Sequence, residues 1–304
     1  MYQALRTSRT EFVPIRHLRY HVRQWGEPSS ALPPLVLLHG WMDVSASFQF
    51  MVDALSAPFF QGRRILAPDW RGFGLTTAAG TDHHSFPDYL ADLDFLLDHY
   101  APGQPVDLVG HSMGGNVAML YAGVRPQRIR RLINLEGFGM PATRPAQAPG
   151  RYARWLDDLK ALQRGELALT RYPDQAGVAR RLMKTNPRLD AGKADWLASH
   201  WARPDETGQW AILGEAAHKV SSAQLYRLDE VLQVFQRITA PTLAVEASDD
   251  SLAQWHKGQY TLADYHARLA SVPQVERAVI DDAGHMLHHD QPLQLAQRVE
   301  KFLT

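Results

Sequence analysis

The chain has 304 residues, 45% of them hydrophobic and 21% charged, which suits one large globular domain with or without an insert. Its 32 basic residues balance 32 acidic ones, so net charge gives no case for a nucleic acid or an anionic membrane as partner. Cysteine is absent, which excludes disulfides and thiol catalysis.

The first residues, MYQALRTSRTEFVPIRH, lack the continuous apolar stretch of a signal peptide. No window holds the roughly eighteen apolar residues of a membrane span. A soluble cytoplasmic protein is therefore expected. Residues 18–25, LRYHVRQW, alternate Leu18, Tyr20 and Val22 with Arg19, His21 and Arg23. That period predicts a half-buried antiparallel strand, paired with the segment from Phe12 to Ile15. Beyond it the pattern changes to short, mostly apolar runs: LVLL (35–38), ILA (65–67), VDLV (106–109), LINL (132–135), TLAV (242–245) and AVI (278–280). Such runs suit strands buried on both faces of a parallel sheet. Helical patterns lie between them, over Phe86 to Leu97 and after Ser112. A final one carries Leu293, Ala296, Val299 and Leu303 in a stripe. Alternating strand and helix predict an α/β fold, a mostly parallel sheet with helices on both faces. The basic cluster Arg128, Arg130 and Arg131 reads as solvated loop and strand-edge charge.

The alternation stops between about residues 138 and 228. That stretch has no strand-like run, and Tyr152, Trp155, Leu156, Leu159 and Leu162 share a helical face. It carries tryptophans 155, 196, 201 and 210. The division expected is a core of residues 1–137 and 229–304 and a helical cap of residues 138–228.

Gly110-His111-Ser112-Met113-Gly114 fits G-x-S-x-G directly after one predicted strand and before a predicted helix. A sharp turn there leaves the serine strained and exposed, and neighbours with side chains would clash, so Gly110 and Gly114 flank it. The helix N-terminus directs unpaired N–H groups and a positive dipole end at Ser112. A Gly-Ser-Gly turn alone is weak evidence. Four further features stand in the right order. His39-Gly40-Trp41 follows LVLL, so the Trp41 and Met113 N–H groups are candidate oxyanion donors. Pro68 to Gly74, PDWRGFG, reads as a braced loop, with Asp69 and Arg71 in structural roles. Ala283-Gly284-His285 follows AVI, where open α/β sheets place their sites. Glu246 to Asp250, EASDD, ends TLAV and supplies a carboxylate at the same sheet edge. The pairs His83–His84 and His288–His289 lack further ligands at metal-site spacing and read as surface or core residues.

With HGWMD (39–43), PDWRGFG (68–74), GHSMGG (110–115), SDD (248–250) and AGH (283–285), the chain resembles the α/β-hydrolase superfamily, in the serine-nucleophile branch with a helical cap. The resemblance implies acyl transfer to water. His285 takes the proton of Ser112, an acid orients His285, and Trp41 and Met113 hold the oxyanion. His39, Gly40, Gly110, His111 and Gly114 support that site. No cofactor or metal is called for. The family spacing from Pro241 favours Asp250 as the acid, and Glu136, in LEGFGMP after LINL, is the alternative. The expected reaction is cleavage of a carboxylic ester of a small to medium, largely apolar molecule by a monomer or homodimer. The alternatives are a carbon–carbon bond hydrolase of the meta-cleavage-product type and a non-enzymatic binding protein on a degenerate hydrolase fold.

Overall fold

The computed structural model describes residues 2–27 and 32–304. Its strands are β1 (Arg9–Ile15), β2 (Leu18–Trp25), β3 (Leu35–Leu38), β4 (Ile65–Pro68), β5 (Val106–His111) and β6 (Ile129–Leu135). Three short ones follow, β7 (Arg171–Tyr172), β8 (Ala202–Pro204) and β9 (Trp210–Ile212), and then β10 (Thr242–Ala247) and β11 (Val275–Ile280). Eight of them form one sheet in the order β1-β2-β4-β3-β5-β6-β10-β11. The strands from β4 to β11 in that order run parallel. The expected hairpin sets Val13 opposite Tyr20 and Ile15 opposite Leu18, and β2 also pairs antiparallel with β4.

The apolar runs bury both faces of this sheet. Val36, Leu38, Leu108 and Leu132 join the core on one face, while Leu35, Leu37, Val109 and Ile133 join the core on the other. Successive side chains of a strand point oppositely, so each run feeds two cores at once. From β3 the chain passes to β4 on one side and returns to β5 on the other. The order therefore reverses about β3, which opens a crevice beyond the carboxyl ends of β3 and β5.

Three expectations change. β2 is buried on nearly its whole length rather than on one face. His21 pairs with Asp69 at 2.7 Å, and Arg23 donates to Ser8 Oγ at 2.6 Å, so polar partners close the face the pattern marked as exposed. Arg130 is no solvated edge charge: its Nη2 lies 2.6 Å from Asp107 Oδ2, a buried carboxylate that also receives Arg63 at 2.7 Å. The stretch between β6 and β10 is not wholly helical. Beside helices Ala148–Gln163, Gln175–Thr185 and Ala191–Trp201 it holds the antiparallel sheet β7-β9-β8. Strands of two or three residues are too short to show a period. Helix Ala148–Gln163 also buries no residue, and Tyr152 and Leu156 stand half exposed.

The two middle helices of this stretch begin at side-chain caps, Asp174 accepting from the Gly177 N–H and Asp190 from the Lys193 N–H. Val178, Leu182, Leu197 and Trp201 on them pack with Val44, Ala46 and Phe50 of the segment after β3. The insert is thereby anchored beside the crevice. No helix among the described residues is long and apolar enough to cross a membrane.

Candidate active site

Ser112 sits between β5 and helix Met113–Val124 with φ 52° and ψ −116°, a backbone conformation that side-chain-bearing residues rarely adopt. The turn is tight enough to dictate its neighbours. A Cβ on Gly114 would lie 2.2 Å from the Leu38 carbonyl oxygen, and one on Gly110 2.3 Å from the Gly114 oxygen. Both contacts are to backbone, which cannot step aside. The Ser112 N–H donates to Leu135 O at 2.8 Å. Serine at a helix start usually caps it, yet the Ser112 hydroxyl makes no capping bond.

Met113 opens the helix, so its N–H has no intrahelical acceptor. Gly40 lies against the serine: a Cβ there would be 3.1 Å from Ser112 Cβ, bringing the backbone before Trp41 beside the same atom. His39 fixes that loop from below by accepting the Trp70 N–H at its Nε2, 2.9 Å away. The braced loop is as expected. Asp69 accepts the Ser45 N–H at 2.7 Å and the Leu75 N–H at 2.9 Å, and Arg71 Nε donates to Asp92 Oδ2 at 2.6 Å.

His285 follows β11, and its Nδ1 lies 3.3 Å from Glu136 Oε2. The Glu136 side chain is 1% exposed, and the residue holds a positive φ of 55° in the turn after β6. Its Oε1 accepts the Ala247 N–H at 2.7 Å and its Oε2 the Ser251 hydroxyl at 2.8 Å. Burial pushes the Glu136 carboxyl up to about 7 against these two donors, and pushes the His285 imidazole down to about 4. The Trp255 ring meets the His285 ring edge-on at 4.4 Å between centroids.

Asp250 does not take the place its spacing suggested. It is exposed and spends Oδ1 on the Ala253 N–H, 2.8 Å away, capping helix Ser251–His256. Asp249 pairs instead with Arg188 at 2.7 Å. Sheet order does not account for this, because β10 lies directly beside the β11 that carries His285. The cap that Asp250 forms turns its carboxylate to the Ala253 N–H, while the Ala247 N–H and the Ser251 hydroxyl hold Glu136 against His285. Ser251, which holds the Glu136 carboxyl, and Asn134, which braces the turn through the Gly137 N–H at 3.1 Å, were not singled out from sequence. Asn134 left one signal, a polar residue inside an apolar run.

Ser112 and His285 open on one cavity of about 390 Å³. Gly40 and Trp41 line it from the core; Leu182, Leu197 and Trp201 line it from the insert. Arg181 also borders it. Asp43, His111 and His289 also line the cavity, and His288 lies behind them. Burial pushes the His111 and His288 imidazoles well down and the Asp43 carboxyl up to about 7.

A family model for the α/β hydrolase fold matches residues 33–292. The chain belongs to the α/β-hydrolase family. It is a hydrolase, and its relatives include a serine hydrolase-like protein, a diacylglycerol lipase and a putative carbamate hydrolase. This hydrolase is 26% identical over 311 residues to a serine hydrolase-like protein of Danio rerio, spanning 98% of the chain and 90% of the relative. It is 25% identical over 279 residues to the sn-1-specific diacylglycerol lipase ABHD11 of Mus musculus, spanning 90% and 82%. Among solved structures, a thioesterase domain from the curacin biosynthetic pathway superposes with a TM-score of 0.80 at 24% identity, covering 96% of the hydrolase and 99% of that chain.

Proposed function

We propose that the protein hydrolyses carboxylic esters of small to medium, largely apolar molecules through Ser112, His285 and Glu136. The observation that carries this reading is the freed Ser112 hydroxyl at a helix N-terminus, on one cavity with a histidine whose far nitrogen faces a buried carboxylate. With Nδ1–H donated to Glu136, the His285 Nε2 carries the lone pair that can accept the Ser112 proton. The alkoxide attacks the substrate carbonyl carbon, and the oxygen charge rests on the N–H groups of Met113 and Trp41. His285 then returns its proton to the leaving alcohol. Water, deprotonated by the same nitrogen, attacks the acyl-enzyme and releases the acid and free Ser112. A neutral His285 at pH 7, as burial enforces, is the form a general base needs.

The insert from 138 to 228 acts as the cap. Leu182, Leu197 and Trp201 offer the acyl chain an apolar wall. Arg181 supports one second reading, cleavage of a carbon–carbon bond in an acidic dienone, whose carboxylate it would meet. A panel of p-nitrophenyl esters beside a dienone acid separates the two. Ester turnover at least a hundred times the dienone turnover sustains the first reading, and the reverse overturns it.

A further inference from the structure

Asp43, His111 and His288 form a polar cluster that ester hydrolysis does not use. They come from the loop after β3, the end of β5 and the segment after β11. All three are buried, and one ligand-capable atom from each lies within 4.8 Å of the other two. Asp43 Oδ2, His111 Nδ1 and His288 Nδ1 have no hydrogen-bond partner among the described residues. A buried polar atom left so forfeits the hydrogen bonds it would make to water, which calls for an occupant.

The tautomer of His111 indicates which kind. Its Nε2 lies 2.8 Å from the His285 carbonyl oxygen. A carbonyl only accepts, so Nε2 carries the proton and Nδ1 keeps its lone pair. That lone pair is the unpartnered atom. An imidazole whose other nitrogen donates to a backbone carbonyl is the usual posture of a metal-binding histidine. His288 is steadied by Ser47 Oγ, 3.0 Å from its Nε2, and that nitrogen lies 4.0 Å from Asp43 Oδ2.

We propose that Asp43, His111 and His288 bind one divalent ion of the zinc and cobalt class, and that its binding inhibits the hydrolase. Two imidazoles and a carboxylate suit such an ion better than magnesium or calcium, which prefer oxygen donors throughout. Three protein ligands leave a fourth position for water. Tetrahedral ligand atoms on bonds of ~2.1 Å stand about 3.4 Å apart, so separations that now reach up to 4.8 Å shorten by up to about 1.4 Å when an ion enters. His111 holds the His285 carbonyl and adjoins Ser112, and Asp43 shares a loop with Trp41. A misplacement of about 1 Å in a reacting array costs roughly a hundred-fold in rate. The inhibitory consequence rests on the Ser112–His285 scheme; the binding does not.

Titration of the tag-free protein with Co²⁺, followed by visible absorbance and reversed by Zn²⁺, reads binding without reference to activity. One equivalent is expected, with affinity lowered at least ten-fold in Asp43→Asn and His288→Gln and unchanged in His17→Gln. Absence of a stoichiometric site, or one indifferent to both substitutions, overturns the proposal. If either variant fails to fold, anomalous scattering from zinc-soaked crystals of the unaltered protein decides: the peak falls among the three residues, or the proposal is wrong. Ester turnover should fall about a hundred-fold as the site fills. Full occupancy with unchanged turnover refutes the inhibitory role. Co²⁺ bound through these residues in a protein inactive on every ester would sink the ester-hydrolase scheme and leave the metal site standing.

Discussion

Replacing Glu136 by glutamine tests the geometry at its most specific point. Glu136 Oε1 faces the Ala247 N–H at 2.7 Å, a donor that only an acceptor can meet. The glutamine oxygen must therefore take that side, turning its NH₂ toward Ser251 and His285. The Ser251 hydroxyl can rotate to accept, but His285 Nδ1 then receives a proton where it used to donate one. The imidazole proton moves to Nε2, and no lone pair faces Ser112. Loss of the right tautomer costs about ten-thousand-fold in kcat, or about 5 kcal/mol of transition-state stabilisation. Stability should hold, because the amide is isosteric and burial already disfavours the charge. Asp250→Asn keeps a good cap, so kcat should stay within about two-fold; Asp250→Ala should lower stability by about 1 kcal/mol and still leave kcat intact. Initial rates on p-nitrophenyl butyrate, beside melting curves for each variant, read both effects. A Glu136→Gln enzyme with more than a tenth of normal kcat, beside an Asp250→Asn enzyme that has lost a thousand-fold, would refute the reasoning.

Three further outcomes are expected. A pH profile of kcat/KM should rise first near 4, as His285 loses its proton, and again near 7, as Glu136 ionises; Glu136→Gln should abolish the second rise. Trp201→Ala should enlarge the cavity and raise the octanoate-to-butyrate ratio of kcat/KM about ten-fold, and an unchanged ratio in the folded variant would separate this wall from acyl-chain selection. His218 stacks on Phe73 and on His84 with ring centroids 3.6 and 3.9 Å apart, and burial pushes it down to about 3. The unfolded chain then binds the extra proton below about 6.5, so stability present at pH 8 is lost as pH falls, by about 2 kcal/mol at pH 5. His218→Phe should lessen that acid-side drop in melting temperature, and an identical drop would show the buried imidazole is not its source.

The core was legible because its strands are buried on both faces. LVLL, VDLV and LINL can hardly be anything else when turn-forming residues bound them. The elbow was legible because sterics leave so little choice at Gly110 and Gly114. What stayed hidden depends on packing across long separations. His21 and Arg23 read as exposed because Asp69, Ser8 and the insert, which cover them, are distant in sequence. Glu136 and Asp250 follow neighbouring strands, and only the cap made by Asp250 and the buried donors that hold Glu136 distinguish them. Asp43, His111 and His288 come from the loop after β3, the end of β5 and the segment after β11, so no spacing rule could have gathered them. The strands β7, β8 and β9 were too short to leave a pattern.

The central claim is that Ser112 is a nucleophile activated by His285, and a covalent probe tests it without knowledge of the substrate. After incubation with a fluorophosphonate, intact mass and peptide mapping should find one adduct, on Ser112, which sits in the elbow with its hydroxyl free. Ser112→Ala should take up none, and His285→Ala should react slower by orders of magnitude, as removal of a unit that acts together requires. An unlabelled protein, or an adduct on any other residue with Ser112 untouched, would contradict the account.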